Sequence, residues 1–221
     1  MMNIPLDQPL LIGLVGATGS GKTTLASQLV DEYGFIRAHM GQPIKDMLSA
    51  LGLTMEQLTG PPDVRKRPSG LLDGKSPRYA METLGTDWGR RMISSKIWAN
   101  AVEGRVRQIW NEGPGPIVID DLRFPSDWAV IDRLRGTLIR VVRPGVGKQR
   151  SLGDRITHRF PAVRPAFAAL GFSTAHETEY HWHDAPADID LVNDSTPEVL
   201  KNMLVEALSD RGIALPRHPA N

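Results

Sequence analysis

Gly16, Ala17, Thr18, Gly19, Ser20, Gly21, Lys22 and Thr23 reproduce the spacing G-x-x-x-x-G-K-[ST] in full. Glycines at these intervals let successive backbone N–H groups turn inward, toward the oxygens of a bound phosphate. A helix beginning at the end of such a loop would add the positive end of its dipole. In this pattern the lysine reaches the β- and γ-phosphates, and the threonine hydroxyl can ligate Mg²⁺. Thr24 follows within reach of the same phosphates. The stretch therefore predicts a site for ATP held together with Mg²⁺.

Such a site needs an acid on the metal side, carried at the end of another buried strand. Ile117-Val118-Ile119-Asp120-Asp121 supplies two. Carboxylates beside so apolar a run are costly to bury unless a cation or hydrogen bonds compensate them. Asp121 is the preferred metal-side acid and Asp120 the second choice. The alternative is that both merely end the strand and begin a loop.

Short apolar runs at residues 10–15, 35–38, 117–120, 138–142 and 189–192 read as strands. Several are aliphatic without strict alternation, as in strands covered on both faces. Segments of helical spacing lie between them: residues 24–33 with Gly34 just past the end, residues 126–134 with Ser126 as N-cap, and a helix opening at Ser195-Thr196-Pro197. Strands alternating with helices predict an α/β fold with a doubly wound, five-stranded parallel sheet. The phosphate loop then leaves the first strand and opens the first helix, the context its motif requires.

Two stretches break that rhythm. Residues 40–111 read as a mostly helical insertion, interrupted at residues 61–70 by what looks like an exposed flexible loop. Residues 144–185 follow the fourth strand as a lid region, and residues 210–221 read as a frayed tail. The whole is expected to form one domain of 221 residues.

The formal net charge of +1 conceals an asymmetry, since residues 140–164 sum to +6 and residues 165–200 to −7. The basic run fits a phosphate-clamping lid with Arg150 and Arg155 as its candidates; a solvated loop and a nucleic-acid surface are weaker readings. His176, His181 and His183 match no standard zinc spacing. There is no cysteine, no apolar run long enough to span a bilayer and no positive n-region before an apolar core. A cytoplasmic location is expected, with no membrane partner.

Further segments carry a resemblance. Gln42-Pro43-Ile44-Lys45 is similar to a Pro-Leu-Lys signature. Ser76-Pro77-Arg78 precedes Leu84-Gly85-Thr86-Asp87-Trp88-Gly89-Arg90, close to L-G-T-x-W-G-R. Asp121-Leu122-Arg123-Phe124-Pro125 stands where D-V-R-F-P is expected, His176 to Glu179 is similar to H-x-S-E, and Asp190 to Asn193 looks like a final strand and base-binding loop. In this order they resemble the phage-type deoxynucleoside monophosphate kinases of the P-loop nucleoside monophosphate kinase superfamily, over residues 10 to about 200. Residues 61–75 have no counterpart in that pattern.

The resemblance implies a phosphotransferase passing phosphate from ATP·Mg²⁺ to a (deoxy)nucleoside 5′-monophosphate. Two polyanions brought together need fixed cations, and arginine's planar fork suits phosphate oxygens. Arg123 is expected on the acceptor phosphate, with a salt bridge to Asp121 or Asp127 as the alternative. Arg78, Arg90 and Lys45 are assigned to the same acceptor. Trp88 would stack on its base or sugar, unless it is simply core. Asn193 is placed near the ATP adenine by resemblance alone, and His176 and Glu179 receive no role. The partners expected are small nucleotides rather than nucleic acid, and homodimer formation is left open. Another P-loop small-molecule kinase, such as a dephospho-coenzyme-A kinase, is the nearest rival reading, followed by a DNA-handling ATPase.

Overall fold

The computed structural model describes residues 9–147, 166, 170 and 181–216. It divides into two compact units, one formed by residues 1–37 and 115–221 and the other by residues 38–114.

The first unit holds the sheet. β1 (Leu11–Val15) is buried along its length and runs at the centre. With β2 (Ile36–Ala38), β3 (Ile117–Ile119), β4 (Thr137–Val142) and β5 (Ile189–Val192), the strand order is β2-β3-β1-β4-β5. The β1–β3, β1–β4 and β4–β5 pairs are parallel, and Gly13 of β1 lies opposite both Ile119 and Leu138. The chain leaves β1 toward β2 and β3, then crosses to β4 on the other side. The carboxyl end of β1 is therefore the topological switch point, where such sheets bind ligands.

Among the described residues, α1 (Lys22–Tyr33), α7 (Pro125–Arg133) and α8 (Pro197–Ser209) belong to this unit. Leu25 and Leu29 of α1 join Ile12, Leu14, Val118, Ile139, Leu191, Leu200 and Leu204 in one buried cluster. α1 ends as expected, because Gly34 takes the left-handed conformation (φ 69°) and its N–H reaches the Val30 carbonyl. Lys201, itself buried, joins α8 to α1 by donating to Glu198 of its own helix at 2.8 Å and to Glu32 of α1. The two carboxylates, Glu198 first, hold its ammonium well above the usual lysine range.

Two helix starts differ from the sequence reading by one or two residues. Ser126 lies inside α7, which begins at Pro125 after Phe124. α8 is capped by Thr196 rather than Ser195, its side chain accepting from the Val199 N–H at 3.3 Å. In both cases proline sits at the first helical position, where its missing N–H costs nothing.

The second unit is helical: α2 (Gln42–Ala50), α3 (Met55–Thr59), α4 (Pro62–Lys66), α5 (Pro77–Glu82), a π-helical segment (Thr83–Ile93) and α6 (Ile97–Glu112). Leu48, Leu53 and Leu58 form its buried cluster, with Ile44, Leu72 and Leu84 packed around them. Residues 61–70 are not the irregular loop expected. Pro62 opens α4, Asp63 stands in its first turn and Arg65 and Lys66 in its last, and a 3₁₀ turn follows at Gly70–Leu72. Proline followed by dipole-matched charges is a helix signal that the flanking prolines and glycine obscured. Among the described residues no helix is long and apolar enough to cross a membrane.

Candidate active site

The phosphate loop leaves β1 and turns into α1. Gly16, Gly19 and Gly21 have φ of 150°, 83° and 104°. At Gly21 the requirement is double, since this φ strains any L side chain and a Cβ there would lie 2.4 Å from Asn193 Nδ2. No acid stands in the first turn of α1. That leaves the helix's positive end for an anionic ligand.

Lys22 Nζ donates to the carbonyls of Gly16 (2.8 Å) and Ala17 (2.6 Å) and lies 3.4 Å from Ser20 Oγ. Its ammonium is thus held at the loop. The Thr23 hydroxyl donates to Asp120 Oδ2 at 3.0 Å, so residues 97 apart in sequence meet where β3 ends beside the first turn of α1. Asp120 is 4% exposed. Arg37 of β2 grips it from the other side, with Nε donating to Oδ1 at 3.1 Å and Nη2 donating to Oδ2. Both carboxylate oxygens are therefore engaged by a planar fork, the strong form of such a pair. Asp121 is partly buried and offers an oxygen within 4.8 Å of one on Asp120. Of the two acids, it is Asp120 that contacts Thr23.

Asn193 follows β5 and is buried, and its Nδ2 donates to the Ser20 carbonyl inside the loop at 2.8 Å. Its own N–H is fixed on the Val142 carbonyl at 2.7 Å. The residue expected near the adenine therefore braces the phosphate loop from β5. Trp182, also buried, lies in a 3₁₀ turn (His181–Asp184) close to the loop: a Cβ on Gly147 would lie 3.0 Å from Ala17 Cβ and 3.2 Å from Trp182 Cζ2. His183 stacks on Trp182 with ring centroids 3.6 Å apart.

Arg140, counted with the basic run in the sequence, is a strand residue of β4. It pairs with Asp190 of β5 through Nε (2.6 Å) and Nη2 (3.1 Å), while Nη1 donates to the His183 carbonyl at 2.9 Å. It therefore anchors the Trp182 turn. The hydrogen bond from Arg140 lowers the Asp190 carboxyl and raises the arginine.

Arg123 stands exposed just before α7. Asp127 is buried, and its Oδ2 accepts from the backbone N–H groups of Arg123 and Phe124, each at 3.0 Å. The Asp127 carboxylate thus fixes the turn that presents Arg123.

The remaining acceptor candidates belong to the second unit. Arg78, on α5, is exposed and pairs with Glu82 at 2.8 Å, a single-turn surface pair. Lys45 is partly buried on α2. Trp88 and Arg90 lie on the π-helical segment, a winding that is rare and frequent at functional sites. Arg90 Nη1 reaches the Ser95 carbonyl at 3.2 Å. Trp98 of α6 fixes this segment: its Nε1 donates to the Gly85 carbonyl at 2.7 Å, and a Cβ on Gly89 would lie 2.4 Å from its Cζ2. The Trp88 ring lies 6.2 Å from it, tilted by 44°. Arg150, Arg155, His176 and Glu179 lie outside the described residues.

The sequence reading passed over Arg37, Trp98 and Asp127's bonds to the turn. A charged residue in an otherwise apolar strand was the signal for Arg37. Two glycines four apart, followed by a nearby tryptophan, were the signal for Trp98.

A parallel sheet of this order, a phosphate loop on its central strand and an acid of the neighbouring strand on the loop's threonine fit the P-loop kinase fold. No protein-family model matches the chain. Over 146 residues, 62% of this chain, it is 34% identical to a protein of Acanthamoeba polyphaga mimivirus assigned as a deoxynucleotide monophosphate kinase, covering 76% of that relative. A stretch of 48 residues, 22% of the chain, is 35% identical to a cytidylate kinase of Methanocella arvoryzae, covering 27% of it. Among solved structures, the shikimate kinase of Aquifex aeolicus superposes with a TM-score of 0.46 at 13% identity, over 92% of this chain and 98% of that one. The dephospho-CoA kinase of Campylobacter jejuni gives 0.43 at 18%, over 91% and 96%. The chain belongs to the deoxynucleotide monophosphate kinase family and is a phosphotransferase.

Proposed function

We propose that the chain transfers the γ-phosphoryl group of ATP to the 5′-phosphate of a deoxynucleoside monophosphate, giving ADP and the deoxynucleoside diphosphate. The meeting of Lys22, Thr23 and Asp120 at the phosphate loop carries this reading. The loop fits the nucleotide's phosphates: its glycines take the positive φ that such a phosphate cradle needs, and an ammonium already rests among its carbonyls. Thr23, with Asp120 and Asp121 behind it, would hold Mg²⁺, which when bound neutralises charge on the β- and γ-phosphates.

An oxygen of the acceptor phosphate attacks the γ-phosphorus in line, and the bond to the β-bridging oxygen breaks with its electron pair leaving on ADP. The nucleophile is already an anion, so no general base is needed. The protein's contribution is positioning and fixed positive charge. Lys22 follows the transferred group. Arg123, held by its turn, takes the acceptor phosphate, and Arg78, Arg90 and Lys45 are assigned to the same nucleotide. Trp88 offers a ring to its base. Asn193 keeps the loop in shape and stands on the donor side.

Calorimetric ATP binding beside steady-state kinetics with varied acceptor tests the assignment of Arg123. Arg123→Ala should leave ATP affinity intact and lower kcat/KM for the acceptor by roughly one to two orders of magnitude, the worth of one charge-assisted contact. A variant that loses ATP binding but keeps its acceptor KM would move Arg123 to the donor side.

A further inference from the structure

Arg37 has no place in the reading above, yet its guanidinium grips Asp120, which accepts from the Thr23 hydroxyl. Asp120 is nearly sealed from solvent at 4% exposure, whereas the Arg37 side chain is 26% exposed. An isolated carboxylate at that depth would be strongly disfavoured. Here one oxygen accepts from Arg37 Nε, and the other is shared by Arg37 Nη2 and Thr23 Oγ1. A carboxylate satisfied in this way keeps its orientation, and with it the direction of the threonine hydroxyl's lone pairs.

We infer that Arg37 is a positioning residue that serves as the built-in counter-ion of Asp120, compensating the buried acid whether or not a divalent cation has arrived with a nucleotide. The inference rests on the proposed nucleotide site and deepens it. Two consequences follow from charge alone. The guanidinium lies one carboxylate away from the Thr23 hydroxyl at the end of the phosphate loop, so its charge favours binding of a nucleotide without metal. A second cation brought to the same carboxylate from the Thr23 side is repelled by that guanidinium, so Arg37 moderates the advantage that Mg²⁺ confers. Arg37 thereby lowers the dependence of nucleotide binding on magnesium. It also keeps the buried acid compensated between turnovers.

The test is calorimetric titration of ADP in Mg²⁺ and in EDTA, for the parent protein, Arg37→Met, Arg37→Lys, Asp120→Asn and the Arg37→Met/Asp120→Asn double variant. Thermal melts establish which of them fold. The magnesium enhancement of ADP affinity should rise about tenfold in Arg37→Met, the effect of removing one nearby charge. In Arg37→Lys it should rise less, because a point charge replaces the fork. In the Asp120→Asn background, loss of Arg37 should change it far less, as expected for coupled neighbours. If Arg37→Met does not fold, an enhancement above the parent's in Arg37→Lys supports the inference and an unchanged one overturns it. A full effect of Arg37→Met persisting beside Asp120→Asn would also overturn it, because the arginine would then act as a loose charge. Parent protein that binds no ADP under either condition would instead refute the nucleotide site itself.

Discussion

Asn193 Nδ2 stands 2.8 Å from the Ser20 carbonyl, tying the end of the last strand to the interior of the phosphate loop across 173 residues of sequence. Both residues are buried, and Gly21 has room for this amide only because it lacks a Cβ. Asn193→Ala should therefore loosen the loop, costing about 1–3 kcal/mol of stability for the unsatisfied carbonyl and about tenfold in ATP affinity. Urea unfolding and ATP calorimetry on the same variant measure both. An unchanged ATP affinity would show that the loop keeps its shape without the brace.

Trp98 plays the equivalent part in the second unit. Trp98→Phe keeps the ring but removes the bond to the Gly85 carbonyl, and should cost about 1–3 kcal/mol in a urea melt. Gly89→Ala pushes a methyl group against the indole and should cost about 1–3 kcal/mol by overpacking. If the π-helical winding matters for the acceptor, both variants should raise the acceptor KM more than they weaken ATP binding. Equal effects on the two would mean a merely structural role.

The Arg140–Asp190 pair gives a pH dependence with a definite sign. The folded state depresses the Asp190 carboxyl below its usual value of 3.8, chiefly through the hydrogen bond from Arg140. Its stabilisation is thus present above that value and is lost as pH falls through the depressed folded one. Asp190 is more than half exposed, so screening limits the contribution to under about 1 kcal/mol. Asp190→Asn should be slightly less stable than the parent at neutral pH, and the difference should vanish in strong acid. Thermal melts across that range check it.

The sheet and the loop were legible because each is written locally. Leu11 to Val15 is an uninterrupted apolar run, the glycine spacing after it belongs to one motif, and Gly34 ends the helix where its pattern stops. What escaped depends on contacts distant in sequence. Nothing near Asp120 says that Arg37 will pair with it, and choosing between Asp120 and Asp121 needs the direction of each side chain at the end of β3. The π-helical winding of residues 83–93 is invisible to a helical period, and the residue packed against it, Trp98, lies outside the motif. The resemblance marks Asn193 by its place after the last strand, while its bond to Ser20 requires the sheet to be assembled first.

Lys22→Ala should leave the fold intact, because the ammonium rests on the phosphate loop and not in the apolar core. Turnover should fall at least about 10²-fold, as when one preorganised electrostatic contact is lost. A folded variant with near-parent rates would contradict the assignment of the loop to the donor phosphates.

The proposed activity is phosphoryl transfer to a deoxynucleoside monophosphate. It is tested most directly by incubating the parent protein with ATP, Mg²⁺ and each common ribo- and deoxyribonucleoside 5′-monophosphate in turn, while separating and quantifying the nucleotides formed. The predicted result is that at least one deoxynucleoside monophosphate yields its diphosphate with one ADP formed for each. A protein that binds ATP and phosphorylates none of them, or that accepts only dephospho-coenzyme A when this is added to the panel, would contradict it.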